Sequence, residues 1–400
     1  MDMTGVHAAS TERTHHRRGT DEIIDSASTF TGSEKGDKEI EIQTLELQPS
    51  VSDSFTLHPS SATVDEEGQP TRDRAVFGRW QRFRLRWLTA YRVLIGFVIM
   101  ANLAAMIAKL VKGSAVETPL TATAANIMAA VLLRQEDLIN FSFGLISRLP
   151  STLPFSVRRM IGDFHHFGGV HVGCALSALL WYIMFTGLNT IRVLNLLSLD
   201  HMTPTLYTDI VLSYTTLLAI LVICLTAIHR FHVRFHNTFE ATHRFGGWTA
   251  LLVLWLHAGI TTLTPDTSAP LYTHPSLWLL ACTTIIITIP WLRIHRVPIT
   301  SHRLSNRELH LTFPFTDMPH TSTLRFSTAL LTEWHAFATI PSADCGSILV
   351  SAAGDWTTNL LAHPPKTLWI RNPPVQNFLA CVPLFRDVLL VATGAGIAPK

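Results

Sequence analysis

The sequence predicts an all-α membrane bundle of six helices, then a small antiparallel β-barrel, then only the first strand of an α/β unit. Three observations predict this. Long apolar runs recur between about residues 91 and 292, and the loops between them carry charge on alternate sides. After about Val297 the texture changes to short alternating segments punctuated by turn residues.

The chain has 400 residues, of which 48% are hydrophobic and only 15% charged. Its mean hydropathy of +0.27 is too high for an ordinary soluble enzyme and fits a multipass integral membrane protein with soluble portions. A lipid bilayer is therefore the first expected partner. The formal charge of +2 is near balance and gives no case for nucleic acid. The five cysteines are dispersed without a C-x-x-C, so neither a disulfide framework nor a thiolate metal site is expected.

Residues 1–75 are rich in Ser, Thr, Asp, Glu and Lys and read as a disordered arm. No apolar h-region follows the first Met, so a cleaved signal peptide is not expected. Arginines 72, 74, 79, 82, 84 and 86 close the arm. The membrane domain then covers 76–296, with spans at 91–111, 124–147, 165–187, 208–229, 245–263 and 276–292. Most approach the ~20 residues that cross ~30 Å of hydrocarbon. Arg134, Glu136 and Asp137 interrupt the second. The loops holding Arg148, Arg158 and Arg159, then Arg230, Arg234 and Arg244, then Arg293 and Arg296, lie on one side. The opposite loops carry Arg192 and Lys112 alone, which places both termini in the cytosol.

Two spans begin alike, with His165-His166-Phe167-Gly168-Gly169 and His243-Arg244-Phe245-Gly246-Gly247. Matching imidazoles at the ends of two helices suggest a tetrapyrrole held between His166 and His243. Interfacial histidines bonded to carbonyls or headgroups would give the same pattern. His257 lies fourteen positions after His243, nearly on the same face and ~21 Å along the axis. The position matching it in the third span is Leu180, so an outer pair is incomplete. His171 falls ~140° round from His166 and is not expected to share its face. The cluster His229, His232 and His236 reads as a basic loop near anionic headgroups.

The barrel is placed at 297–386, with strands including Glu308–Phe313, Ser322–Phe326 and Gly346–Ser351. Within it Glu333-Trp334-His335-Ala336-Phe337-Ala338-Thr339 reads as a strand. Gly354-Asp355-Trp356-Thr357 reads as a helix start with free N–H groups suited to an anion. From 387 to 400 an apolar strand runs into Thr393-Gly394-Ala395-Gly396-Ile397-Ala398-Pro399, the opening of a nucleotide-binding unit whose remainder is missing.

The order of these motifs over residues 75–400 resembles ferric reductase and NADPH oxidase-type flavocytochromes. It is most similar to fungal TmpA-type integral membrane oxidoreductases, which are themselves similar to the membrane portion of some adenylate-forming reductase-like fungal proteins. That resemblance implies an oxidoreductase passing electrons from NAD(P)H through FAD, with one haem beyond. It implies haem iron on His166 and His243, with His165, His171 and His257 as lesser candidates, and a barrel of the FAD-binding type. FAD would meet His335, Phe337, Thr339, Gly354, Asp355, Trp356 and Thr357. NAD(P) would begin at Gly394, Gly396 and Pro399. The family's His-Pro-Phe-Thr appears here as His-Ala-Phe-Ala-Thr, which turns Thr339 to the opposite strand face. With the nucleotide domain truncated, the resemblance implies an impaired enzyme, or one relying on a separate reductase subunit or a complete homologue. The alternative is a non-catalytic membrane protein with a signalling, developmental or biosynthetic-cluster accessory role.

Overall fold

The computed structural model describes residues 87–113, 116–263 and 270–389, together with Gly78, Trp80 and Phe83. The arm at 1–75 and the motif carrying Gly394, Gly396 and Pro399 lie outside the described residues.

Helix α1 (Ala90–Lys112) starts where the Thr89 hydroxyl accepts the Arg92 N–H and stops at Gly113, whose φ of 74° suits glycine. Lys109 and Lys112 stand at its negative end. The other longer helices are α2 (Glu117–Leu132), α5 (Gly168–Ser198), α6 (Pro204–Thr226), α9 (Gly247–Leu263) and α10 (Pro275–Leu292). Thr203 caps α6 and Pro204 occupies its first turn. Short helices α3 (Glu136–Ile146) and α4 (Phe155–Gly162) separate α2 from α5, and α7 (His229–Arg234) and α8 (His236–Ala241) separate α6 from α9.

Four helical segments are long and apolar enough to cross a membrane: Ala90–Lys112, Phe155–Ser198, Pro204–Thr226 and Pro275–Leu292. This corrects the six expected spans. The expected span at 124–147 is two helices, because the chain turns at Leu133 to Gln135 and restarts with the Gln135 side chain accepting the Asp137 N–H at 3.3 Å. The expected span at 245–263 starts only at Gly247, after a wide π turn over Thr242–Gly246, and α9 has 17 residues.

The helices pack around Leu120, Tyr182, Phe185, Ile220, Leu254 and Leu280, all buried. Helices α1 and α5 approach closely. A Cβ on Gly169 would run into the Tyr91 carbonyl, and one on Gly173 would lie 2.8 Å from the Val98 Cβ. Glycines four apart let two backbones meet.

The later part is two antiparallel four-stranded sheets. One has the order β1 (Ile294–Pro298), β8 (Thr367–Gln376), β4 (Ser322–Ser327), β5 (His335–Ala338). The other runs β2 (Thr300–Ser305), β3 (Glu308–Pro314), β7 (Cys345–Ser351), β6 (Ile340–Pro341). Alternate residues point inward: Leu309, Leu311 and Phe313 on β3, Leu324 and Phe326 on β4, Ile348 and Val350 on β7, Leu368 and Ile370 on β8. Helix α11 (Asp355–Ala362) adds Leu360 and Leu361 to this core.

A polar seam joins the helices to the sheets. Arg371 on β8 donates to Glu136 Oε1 at 2.6 and 3.1 Å, and Arg325 on β4 lies 3.2 Å from the same oxygen. Asn140 donates to the Pro374 carbonyl and accepts the Gln376 N–H, both at 2.8 Å. Arg293 grips Asp137 with 2.6 and 2.8 Å contacts. Burial pushes the Glu136 carboxyl up to about 7, against the pull of Arg325 and with Asp137 adding like charge.

Candidate functional site

The helical part encloses a cavity of about 290 Å³ between α2, α5, α6, α9 and α10. That is near the small end of ligand pockets, roughly 300 Å³. Small or apolar side chains make most of its wall, including Ala130, Ala175, Ala178 and Leu254. The polar exceptions at one end are His171, His243 and Arg244. His171 Nδ1 lies 2.8 Å from the Ala130 carbonyl, a contact that needs the proton on Nδ1 and leaves Nε2 turned to other uses. His243 rides on the π turn with its ring 5.2 Å from Phe239. Arg244 is paired with Glu240 and donates to the Leu331 and Thr332 carbonyls, tying the cavity's mouth to the loop before β5.

Beyond the cavity lies a buried polar layer. His257 Nδ1 is 2.6 Å from the Tyr182 hydroxyl, while its Nε2 is 3.0 Å from Ser213 Oγ and 3.2 Å from Asp209 Oδ1. Asn189 donates to Asp209 at 2.7 Å and to Ser213 at 3.0 Å. All five side chains are fully buried. A charge buried among apolar helices is tolerable only with such partners.

These placements revise the predicted site. His171 faces the cavity beside His243, and His166 does not: it stacks on His165 at 3.9 Å, while His165 bonds the Gly162 carbonyl. The sequence ranks His171 below His166 only if all the residues from 165 onward turn as one regular helix. In fact Asp163–Phe167 is a tighter 3-10 turn, and α5 begins only at Gly168. His257 has both ring nitrogens engaged and has none left for iron. Asp209, Ser213, Asn189 and Tyr182 were missed altogether. The signal was present in Asp209, a carboxylate inside an apolar run.

In the sheets, His335 stacks on Trp356 with ring centres 4.3 Å apart and planes 28° from parallel, and Phe337 lies 5.9 Å from the same indole. Thr339 is buried and donates to the Ser322 carbonyl at 3.0 Å, so it faces the interior. Gly354 caps α11, ahead of Asp355 in its first turn. The N–H groups of Ala353 and Gly354 both go to Thr357 Oγ1 at 3.0 Å rather than to an anion. His232 and His236 lie 5.3 Å apart on α7 and α8. Among the described residues no group of three or more side chains is arranged to hold a metal ion.

No family model matches the chain. Two curated relatives, both adenylate-forming reductases of Coprinopsis cinerea, do. One is 34% identical over 343 residues, covering 84% of this chain and 32% of the relative. The other is 34% identical over 344 residues, covering 84% and 33%. The chain thus spans about a third of the length of the curated relatives it matches, and over most of its own length it is similar to reductases.

That finding overturns the ferric reductase and NADPH oxidase reading, including its TmpA-type refinement. With it go the FAD and haem the resemblance implied, the His166 and His243 iron site, and the description as a six-span bundle with an FAD barrel. NAD(P)H is the one cofactor of that set compatible with a reductase's name. The local geometry agrees with the correction: His166 is turned from the cavity, the N–H groups at Gly354 are already taken, and His335 covers the Trp356 face.

Proposed function

We propose that the chain is an oxidoreductase module, held in a membrane by its apolar helices, whose ligand occupies the cavity beside His171 and His243. Similarity to reductases over 84% of the chain carries this reading. Two further features support it. The cavity pairs an apolar body with imidazoles at one end, a lining suited to a small organic ligand. Four helices also have the length and apolarity to cross a bilayer, with arginine concentrated in the loops of one side. By that asymmetry the sheets would lie on the cytosolic side.

The test uses the full chain reconstituted in nanodiscs. NADPH consumption is followed with a generic acceptor dye, and carboxylate-dependent ATP–pyrophosphate exchange is followed in parallel. Reduction that is lost in Ala178→Trp, which fills the cavity, supports the reading. Exchange without reduction would assign the other half of the relatives' name and overturn it. Extraction of the chain from membranes by alkaline carbonate would remove the membrane part.

A further inference from the structure

The two ends of the cavity differ in kind. At the inner end Leu254 forms the wall, and behind it Tyr182, Phe185, His257, Ala258 and Leu280 have no solvent exposure. His257 is fixed there through both ring nitrogens, and Asp209, Ser213 and Asn189 bond one another in the space beyond. Opening this layer would strip the imidazole from a buried carboxylate and leave that charge uncompensated.

The outer end gathers positive charge and imidazoles. Arg244 is there, neutralised by Glu240. Arg134 lies in the turn just past the end of α2, its backbone N–H bonded at 3.0 Å to the carbonyl of Val131, which with Ala130 lines the cavity. Its guanidinium lies 3.6 Å from where a Gly168 Cβ would sit, and its charge reaches both His171 and His243. Among the described residues no carboxylate or carbonyl bonds the Arg134 side chain.

We propose that the cavity takes an amphipathic anion, apolar body first, through the His243 end. Its charged group rests against Arg134 and the imidazoles, and the Tyr182–His257–Asp209 layer is the wall that makes the site one-ended. An uncharged apolar ligand would leave Arg134 without a counter-charge, and a cation would be repelled by it. This rests on the cavity being the ligand site, but binding is read without turnover, so it is separable from the reductase reading.

Cys224 lines the cavity and serves as reporter. A variant retaining Cys224 as its sole cysteine, in nanodiscs, is alkylated with N-ethylmaleimide in the presence of decanoate, decanol or decyltrimethylammonium. Decanoate should protect at about tenfold lower concentration than decanol, the size of one charge-assisted contact, and the ammonium should not protect. Arg134→Gln should erase the difference between decanoate and decanol. Ala178→Trp should erase protection by both; if it does not fold, Ala175→Leu serves instead. Equal protection by all three probes, or by none, overturns the proposal. In sealed vesicles a membrane-impermeant thiol reagent should reach Cys224 from the His243 side only, and labelling from the side of the 199–203 loop overturns the wall. Anion binding without reductase turnover would sink the catalytic reading and leave this one standing.

Discussion

Glu136 shows how a single side chain couples burial to pH. It is nearly without exposure, its Oε1 is held by two arginines, and its Oε2 has no hydrogen-bond partner. Because its folded value of about 7 lies above the ordinary 4.5, the folded protein holds this proton more tightly than the unfolded chain does. Its contribution to stability is therefore complete below about pH 4.5 and is lost as pH rises through about 7. Glu136→Gln removes that dependence, so the gap in melting temperature between wild type and variant should shrink from pH 5 to pH 8. A gap that widens would show the carboxylate is the favoured form. His257 makes a second case. His257→Leu leaves Asp209 buried without its imidazole and should cost about 3–5 kcal/mol, whereas Ser213→Ala, which removes a neutral hydroxyl, should cost about 1. Thermal unfolding in detergent separates the two. At this scale the sequence was partly legible. His243 is legible as a histidine opening a second apolar helix and lines the cavity, but its neighbour there, His171 rather than His166, depends on a turn whose pitch no motif reveals. Arg134, Glu136 and Asp137 are legible only as an interruption of an apolar run, whereas Glu136 pairs with arginines more than 180 positions away in sequence.

At the level of elements, period-two alternation is cleanest on β3, where fully and partly buried residues alternate, and weaker on β4 and β7, where neighbouring residues are both buried. Edge strands such as β2, exposed along its whole length, leave no such imprint. Span counting failed where hydropathy ran across a break, since three polar residues at 134–136 end α2 without ending the apolar average. The glycine pairs looked equivalent in sequence and are not. Gly169 and Gly173 bring α1 against α5, while a Cβ on Gly247 would meet nothing within 4 Å. Gly173→Leu should detach or displace α1, with a loss of about 2 kcal/mol or more and new protease sites near Gly113; Gly247→Ala should be close to neutral. Limited proteolysis checks both, and equal tolerance of the two substitutions would show that α1 is not held by this seam.

Across the whole molecule, the helices and sheets meet through Glu136, Asp137 and Asn140 on one short helix, α3. Arg371→Ala breaks the closest of those contacts and should cost about 3 kcal/mol. The loss should appear in both the helical and the sheet melting signals if they unfold as one unit. The large-scale outline, apolar helices first and antiparallel strands after, follows from composition and period. The assignment to a family did not follow from it: short motifs such as Gly-Asp-Trp-Thr recur wherever a helix needs a cap, and here Thr357 uses that geometry on its own backbone.

The unequal lengths of the helices bear on where such a chain would reside. Helices α2 and α9 have 16 and 17 residues, about 24 and 26 Å at the ordinary rise, and so fall short of a ~30 Å hydrocarbon layer that α5 exceeds. On the proposed membrane placement, lipid tails would compress around α2 and α9 or polar ends would sink, each at a fraction of a kcal/mol per ångström. On that placement, short-chain phosphatidylcholine nanodiscs should accordingly raise the melting temperature over long-chain ones.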